Sequence, residues 1–178
     1  MFSDLPPLVL IHFIAASFAI LVGAAMFLMR KGTKLHRKMG LSYIVAMAVT
    51  VISVVPVEAT AMPIAGTRFG FFHVFVVVGF ISLFFGIRAV LRWRSTHDVN
   101  WLRAHQMHLA YSYAGLLMAG FSQMATNPRW LVVMPFETMA QFWVTFAAVN
   151  IAIYAVAAWQ IQTRLAKGDP TRWARVKR

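Results

Sequence analysis

The chain has 178 residues, of which 60% are hydrophobic and only 12% charged, with a mean hydropathy of +0.68 and a formal net charge of +12. Soluble domains carry about 25% charged residues, so this composition excludes an ordinary soluble fold and points to a membrane protein. The absence of cysteine excludes disulfides, thiolate metal sites and thiol catalysis.

A spanning helix needs about 20 mostly apolar residues, and five segments qualify. The first is 8–28, with Pro6 and Pro7 suited to its entry. It lacks a basic leader, its apolar run is too long for a signal peptide, and a stop-transfer-like basic stretch follows it. The second, 41–57, is shortest but extends helically through Met39 and Gly40. An external loop, 58–70, leads to the third at 71–91, and a basic stretch leads to the fourth at 108–125. A loop over 126–141 contains LVVMPF, too short to span and better suited to the membrane interface. The fifth segment is 142–159, and 161–178 reads as a basic tail on an anionic membrane surface. Trp93, Trp101, Trp130 and Trp159 fall where interfacial aromatic belts are expected.

The basic residues cluster at 30–38, 88–103 and 164–178, each beside an apolar segment, with only Arg68 and Arg129 elsewhere. That distribution argues against nucleic acid as the partner. Under the positive-inside rule it places all three clusters in the cytoplasm, as topology determinants and lipid-headgroup contacts. The expected fold is therefore an all-α integral membrane protein with five transmembrane helices, the first four forming a bundle. Its N-terminus lies outside and its C-terminus is cytoplasmic. Residues 1–160 form a single transmembrane domain, and the expected location is a bacterial inner (cytoplasmic) membrane, spanned several times.

Six histidines occur beside only five acids, and ionisable residues inside a membrane usually face the bundle interior and mark a site. His12 and His73 are expected near the outer ends of helices one and three, roughly 10–12 Å from the bilayer centre at a 1.5 Å rise per residue. His36, shallower, and the pair His105 and His108 are expected at the inner ends of helices two and four. By depth His36 pairs more naturally with His105 than with His108, which stays a candidate cofactor-binding residue and the alternative inner ligand, while His97 reads as a bystander. Two histidines on opposed helices at equal depth can supply both axial ligands of a haem iron. One pair near each face would hold two haems stacked across the bilayer.

The helix faces allow this: small residues Ala16, Ala19 and Gly23 continue from His12, and Gly40, Tyr43 and Met47 continue from His36. The face from His108 runs through Tyr111 and Gly115. Plain helix packing uses small residues too. A faint internal repeat sets His12, His36 and Ser42-Tyr43 against His73, His105 and Ser112-Tyr113, with a slip of one residue in spacing.

Two other readings stand beside this one. A zinc or copper site could use His12 and His73 with Glu58 or Glu137 from the outer loops. Alternatively, the protein acts through a partner or lipids, with its histidines as interhelical hydrogen bonds. The eleven methionines are scattered and read as packing. Asn150, mid-depth in the fifth segment, reads as an interhelical hydrogen bond, with a quinone contact as the sharper alternative. Arg68 and Arg129 are candidates to pair with haem propionates on the outer side.

The run KGTKLHRKMGLSY, a histidine early in the third segment, and RAHQMHLAYSYAGLLMAG together resemble a family of small bacterial membrane proteins catalogued as a domain of unknown function. The resemblance covers residues 12–127 and implies a multi-pass membrane protein without an assigned activity. More distantly, the histidine layout is similar to four-helix dihaem transmembrane cytochromes b. That likeness implies two bis-histidine haems b on His12/His73 and His36/His105. It also implies electron exchange with quinone, an ascorbate-like reductant, superoxide or a redox protein partner, and leaves open a quinone-linked membrane oxidoreductase. The fifth helix and the shallow His36 depart from that pattern.

Overall fold

The computed structural model describes residues 5–58, 64, 66–70, 73–126 and 138–166. The LVVMPF patch, Arg129, Trp130, Glu137 and the tail beyond residue 166 lie outside them.

Five α-helices are found among the described residues: α1 (Pro7–Leu28), α2 (Lys34–Val54), α3 (His73–Thr96), α4 (Val99–Thr126) and α5 (Met139–Gln160). Each boundary has a local cause. Pro7 occupies the first turn of α1, where its missing N–H costs nothing. Gly32, at φ 77°, turns the chain between α1 and α2. Thr33 then caps α2, its hydroxyl accepting the His36 backbone N–H at 3.0 Å. Pro56, two residues past α2, cannot donate the next helical hydrogen bond. His97, with φ 56°, breaks the chain after α3, and Asp98 caps α4 by accepting the Asn100 N–H at 2.9 Å. Thr138 caps α5 through the Gln141 N–H at 3.2 Å. Past α5 the helix continues as a π-helical turn, Ile161–Ala166, packed on α4, so helical structure runs beyond the expected start of the tail at 161.

Helices α1 and α2 pack as one hairpin and α3 and α4 as another. Contacts of α2 with α3 and of α1 with α4 join the two. The four helices thus follow one another around a bundle, with α1 opposite α3 and α2 opposite α4. α5 packs outside the bundle, on α4. Ala19, Val22, Tyr43, Ala46, Met47, Leu83 and Leu116 form the core. Lipid removes the hydrophobic drive between helices, so close packing of small residues and internal hydrogen bonds hold such a bundle together.

The outside of the bundle is apolar. Leu21 is 70% exposed, Ile52 68% and Val144 68%, a surface suited to hydrocarbon rather than water. α1, α2, α3 and α5 (with its π-helical extension) are long and apolar enough to cross a membrane. α4 is not among them, and its packing gives the reason. No residue from 101 to 120 is fully exposed, and Arg103, His105, Gln106 and His108 are each half-buried against its neighbours. A helix enclosed by protein need not be uniformly apolar.

Candidate functional site

The histidines fall at the two ends of the bundle, separated by a packed middle. In the first hairpin, the His12 ring on α1 bonds the Thr50 carbonyl on α2 through Nδ1, at 2.8 Å. In the second, His105 on α4 bonds the Gly86 carbonyl on α3 through Nδ1, at 2.9 Å. A carbonyl only accepts, so both rings carry their proton on Nδ1 and present Nε2 as the bare lone pair. That is the arrangement in which a ligating histidine is normally held, its second nitrogen fixed by a carbonyl.

His73 differs. It is the first described residue of α3, not a full turn inside the helix as its apolar surroundings suggest. Its Nδ1 accepts the Gly70 backbone N–H at 3.1 Å, and Phe69 packs edge-on against the ring, with centroids 5.3 Å apart. A neutral ring accepting at Nδ1 carries its proton on Nε2. This nitrogen is buried without a hydrogen-bond partner.

His36, in the first turn of α2, has a buried Nδ1 with no partner. An electrostatic influence of His105, on the opposite helix, reaches it, with no ring contact or hydrogen bond between the two among the described residues. His108 is within reach of His105 as well, but its ring stacks on Phe85 of α3, with centroids 5.6 Å apart. His97 is exposed in the α3–α4 turn.

Two groups at the His36 end could not be singled out from sequence. Lys31 lies near His36, donates to the Met26 carbonyl and sits 5.3 Å over the Phe27 ring. Burial lowers its pKa below the ordinary lysine value. Arg103, two residues before His105, has a buried Nε without a partner. Nothing in a sequence with three basic clusters distinguishes either from its neighbours.

The middle of the bundle is filled by side chains. Tyr43 and Ser112 share a hydrogen bond of 3.0 Å, Tyr113 donates to the Ile20 carbonyl at 3.2 Å, and the two tyrosine rings lie 6.4 Å apart. Tyr43 of one Ser-Tyr dipeptide of the faint repeat therefore meets Ser112 and Tyr113 of the other at the centre, while Ser42 bonds the Lys38 carbonyl on the outside. The small face running from His12 through Ala19 to Gly23 is occupied there, because the Tyr113 ring lies where a Gly23 Cβ would stand. Lower on α4, Asn150 of α5 donates to the Ser122 hydroxyl at 2.7 Å and to the Phe146 carbonyl at 2.8 Å. This is the interhelical role expected of that amide.

Among the described residues, no three His, Asp or Glu side chains come together as a metal-binding group. Glu58 is exposed.

Among known proteins, a family described as "Predicted membrane protein (DUF2306)" matches residues 9–159. No curated protein and no solved structure matches the chain.

Proposed function

The chain belongs to this family of predicted membrane proteins, and from that premise we propose that it is a membrane electron-transfer protein carrying haem b between opposed histidines. The observation that carries the proposal is the pair His36 and His105. They stand on opposite helices of the bundle, and His105 acts electrostatically on His36. The Gly86 carbonyl holds His105 in the ligand tautomer, and His36 keeps a buried ring nitrogen unsatisfied. Buried polar atoms without partners are uncommon, and an absent binding partner is a standard reason for them.

Arg103, with its own unpartnered buried Nε, supplies a cation at the same end of α4 suited to the carboxylates of such a group. Bound haem supplies reversible one-electron chemistry, with the axial ligands and their hydrogen bonds setting its potential. The chain's own part is to fix ring orientation through backbone carbonyls and to surround the ligands with apolar helices.

His12 and His73 make the second pair of the proposal, on the other diagonal. The hydrogen bond to the Thr50 carbonyl leaves His12 Nε2 free to serve as a ligand. His73 would have to release the Gly70 N–H before its Nε2 could bind iron, so this second site is the weaker one. Quinone or a redox protein would be the exchange partner.

The test is a reduced-minus-oxidised visible spectrum of the detergent-purified protein, with a haem-to-protein count. A low-spin b-type spectrum with one or two haems per chain is expected. Protein expressed with ample haem supply that is folded yet contains no haem would refute the proposal.

A further inference from the structure

Near the end of α3 that carries the second basic cluster, Phe84, Ile87, Arg88, Leu91, Arg92 and Ser95 line a groove of about 490 Å³. All six belong to one face of α3, at spacings of three and four residues. Its walls are apolar except for the two guanidiniums and the hydroxyl. Arg88 lies eight residues before the end of the helix, which is about 12 Å along the axis at a 1.5 Å rise. That is deep for a permanent charge on a helix long and apolar enough to span.

The two arginines stand one turn apart, where like charges repel, and no carboxylate among the described residues pairs with either. Of the acids on this side of the chain, Asp98 is engaged in capping α4. Arg88 instead lies over the Trp101 ring of α4, with its guanidinium carbon 5.7 Å from the ring centroid, which orients it beside the groove. Two unneutralised guanidiniums above an apolar trough match a ligand with an anionic head and a hydrocarbon tail.

We propose that this groove is a binding site for an anionic glycerophospholipid. The phosphate sits between Arg88 and Arg92, and an acyl chain lies along Phe84, Ile87 and Leu91. Arginine suits this role because its planar donor fork engages two phosphate oxygens. The site is independent of the histidines, and a protein free of haem would still possess it.

The experiment uses the full chain in detergent, with bound lipid read by native mass spectrometry. Phosphatidylglycerol, phosphatidylcholine of the same acyl composition and inorganic phosphate are supplied in turn. Wild-type protein should retain phosphatidylglycerol at least fivefold over phosphatidylcholine and gain little from phosphate. The double variant R88Q/R92Q should lose that preference, while R94Q, outside the groove, should keep it. Equal retention of the two lipids by the wild type would overturn the proposal, and that comparison does not depend on whether the double variant folds. Equal loss in R94Q would reduce the effect to general surface charge, and saturation by inorganic phosphate would exclude a lipid requirement. Either result also overturns it.

Discussion

Tyr43 on α2 and Ser112 on α4 hydrogen-bond at 3.0 Å across the diagonal of the bundle, in a region where both residues are buried. This contact joins the two hairpins at the centre, between the two groups of histidines. Tyr43→Phe should cost about 0.5–1.5 kcal/mol of stability, the range for one hydrogen bond. A double-mutant cycle with Ser112→Ala should return a coupling of about 0.6 kcal/mol, the average for interhelical hydrogen bonds in membranes. Additive single effects would show that the pair does not interact.

Packing at Gly23 offers a sharper contrast. The Tyr113 ring occupies the position of its absent Cβ, whereas Gly115 has open space at the same point. Gly23→Ala should therefore destabilise by about 1–3 kcal/mol, as overpacked sites do. Gly115→Ala should be neutral or stabilising by up to about 1 kcal/mol, because it only improves helix propensity. Melting temperatures of the two variants in one detergent decide the matter, and similar values would contradict the packing described.

The four histidines of the proposed function should not behave alike. His105→Ala is expected to remove the haem signal at its end of the bundle, and His36→Ala to do the same. His108→Ala and His97→Ala should leave haem content within error of the wild type. Because His73 is engaged by Gly70, the His12/His73 site should lose haem first on dilution. Haem retained in full by His105→Ala would remove the ligand assignment.

Lys31 gives a pH signature. Its pKa is lowered in the folded protein by burial, so in the alkaline window below the ordinary lysine value the unfolded chain holds a proton that the folded chain has released. Stability must then rise with pH across that window. The rise should be absent in Lys31→Gln, as read from melting temperatures at a series of alkaline pH values. An unchanged slope in the variant would place the effect on another group.

The helices were legible because their causes are local. Apolar runs of spanning length and Pro7 announce themselves in the sequence, whereas the polar first turns capped by Thr33 and Asp98 went unread, so α2 and α4 begin at Lys34 and Val99 rather than at 41 and 108. The interhelical role of Asn150 was legible from its depth, and the same argument from depth is what proposes His36 as the partner of His105. What depth could not reveal was the hydrogen bond each ring makes. The acceptors, Thr50 and Gly86, act through backbone carbonyls, which every residue possesses. For the same reason nothing marked His73 as a ring that accepts from an amide. The small residues following His12 suggested a space, but whether Tyr113 fills it depends on how α4 lies against α1.

The enclosure of α4 bears on how the protein is made. A segment bearing Arg103, His105, Gln106 and His108 would be poorly tolerated in hydrocarbon by itself, and over residues 101–120 it shows no exposed side chain in the finished molecule. Its place in the bilayer is therefore conferred by company. α3, its hairpin partner, directly precedes it in the chain and packs along it. α5, arriving last, closes over its far side and covers Ser122. The contact of α5 with α4 through Asn150 and Ser122 completes that enclosure, so a chain cut before α5 should leave α4 half sheltered and give a lower yield of folded protein.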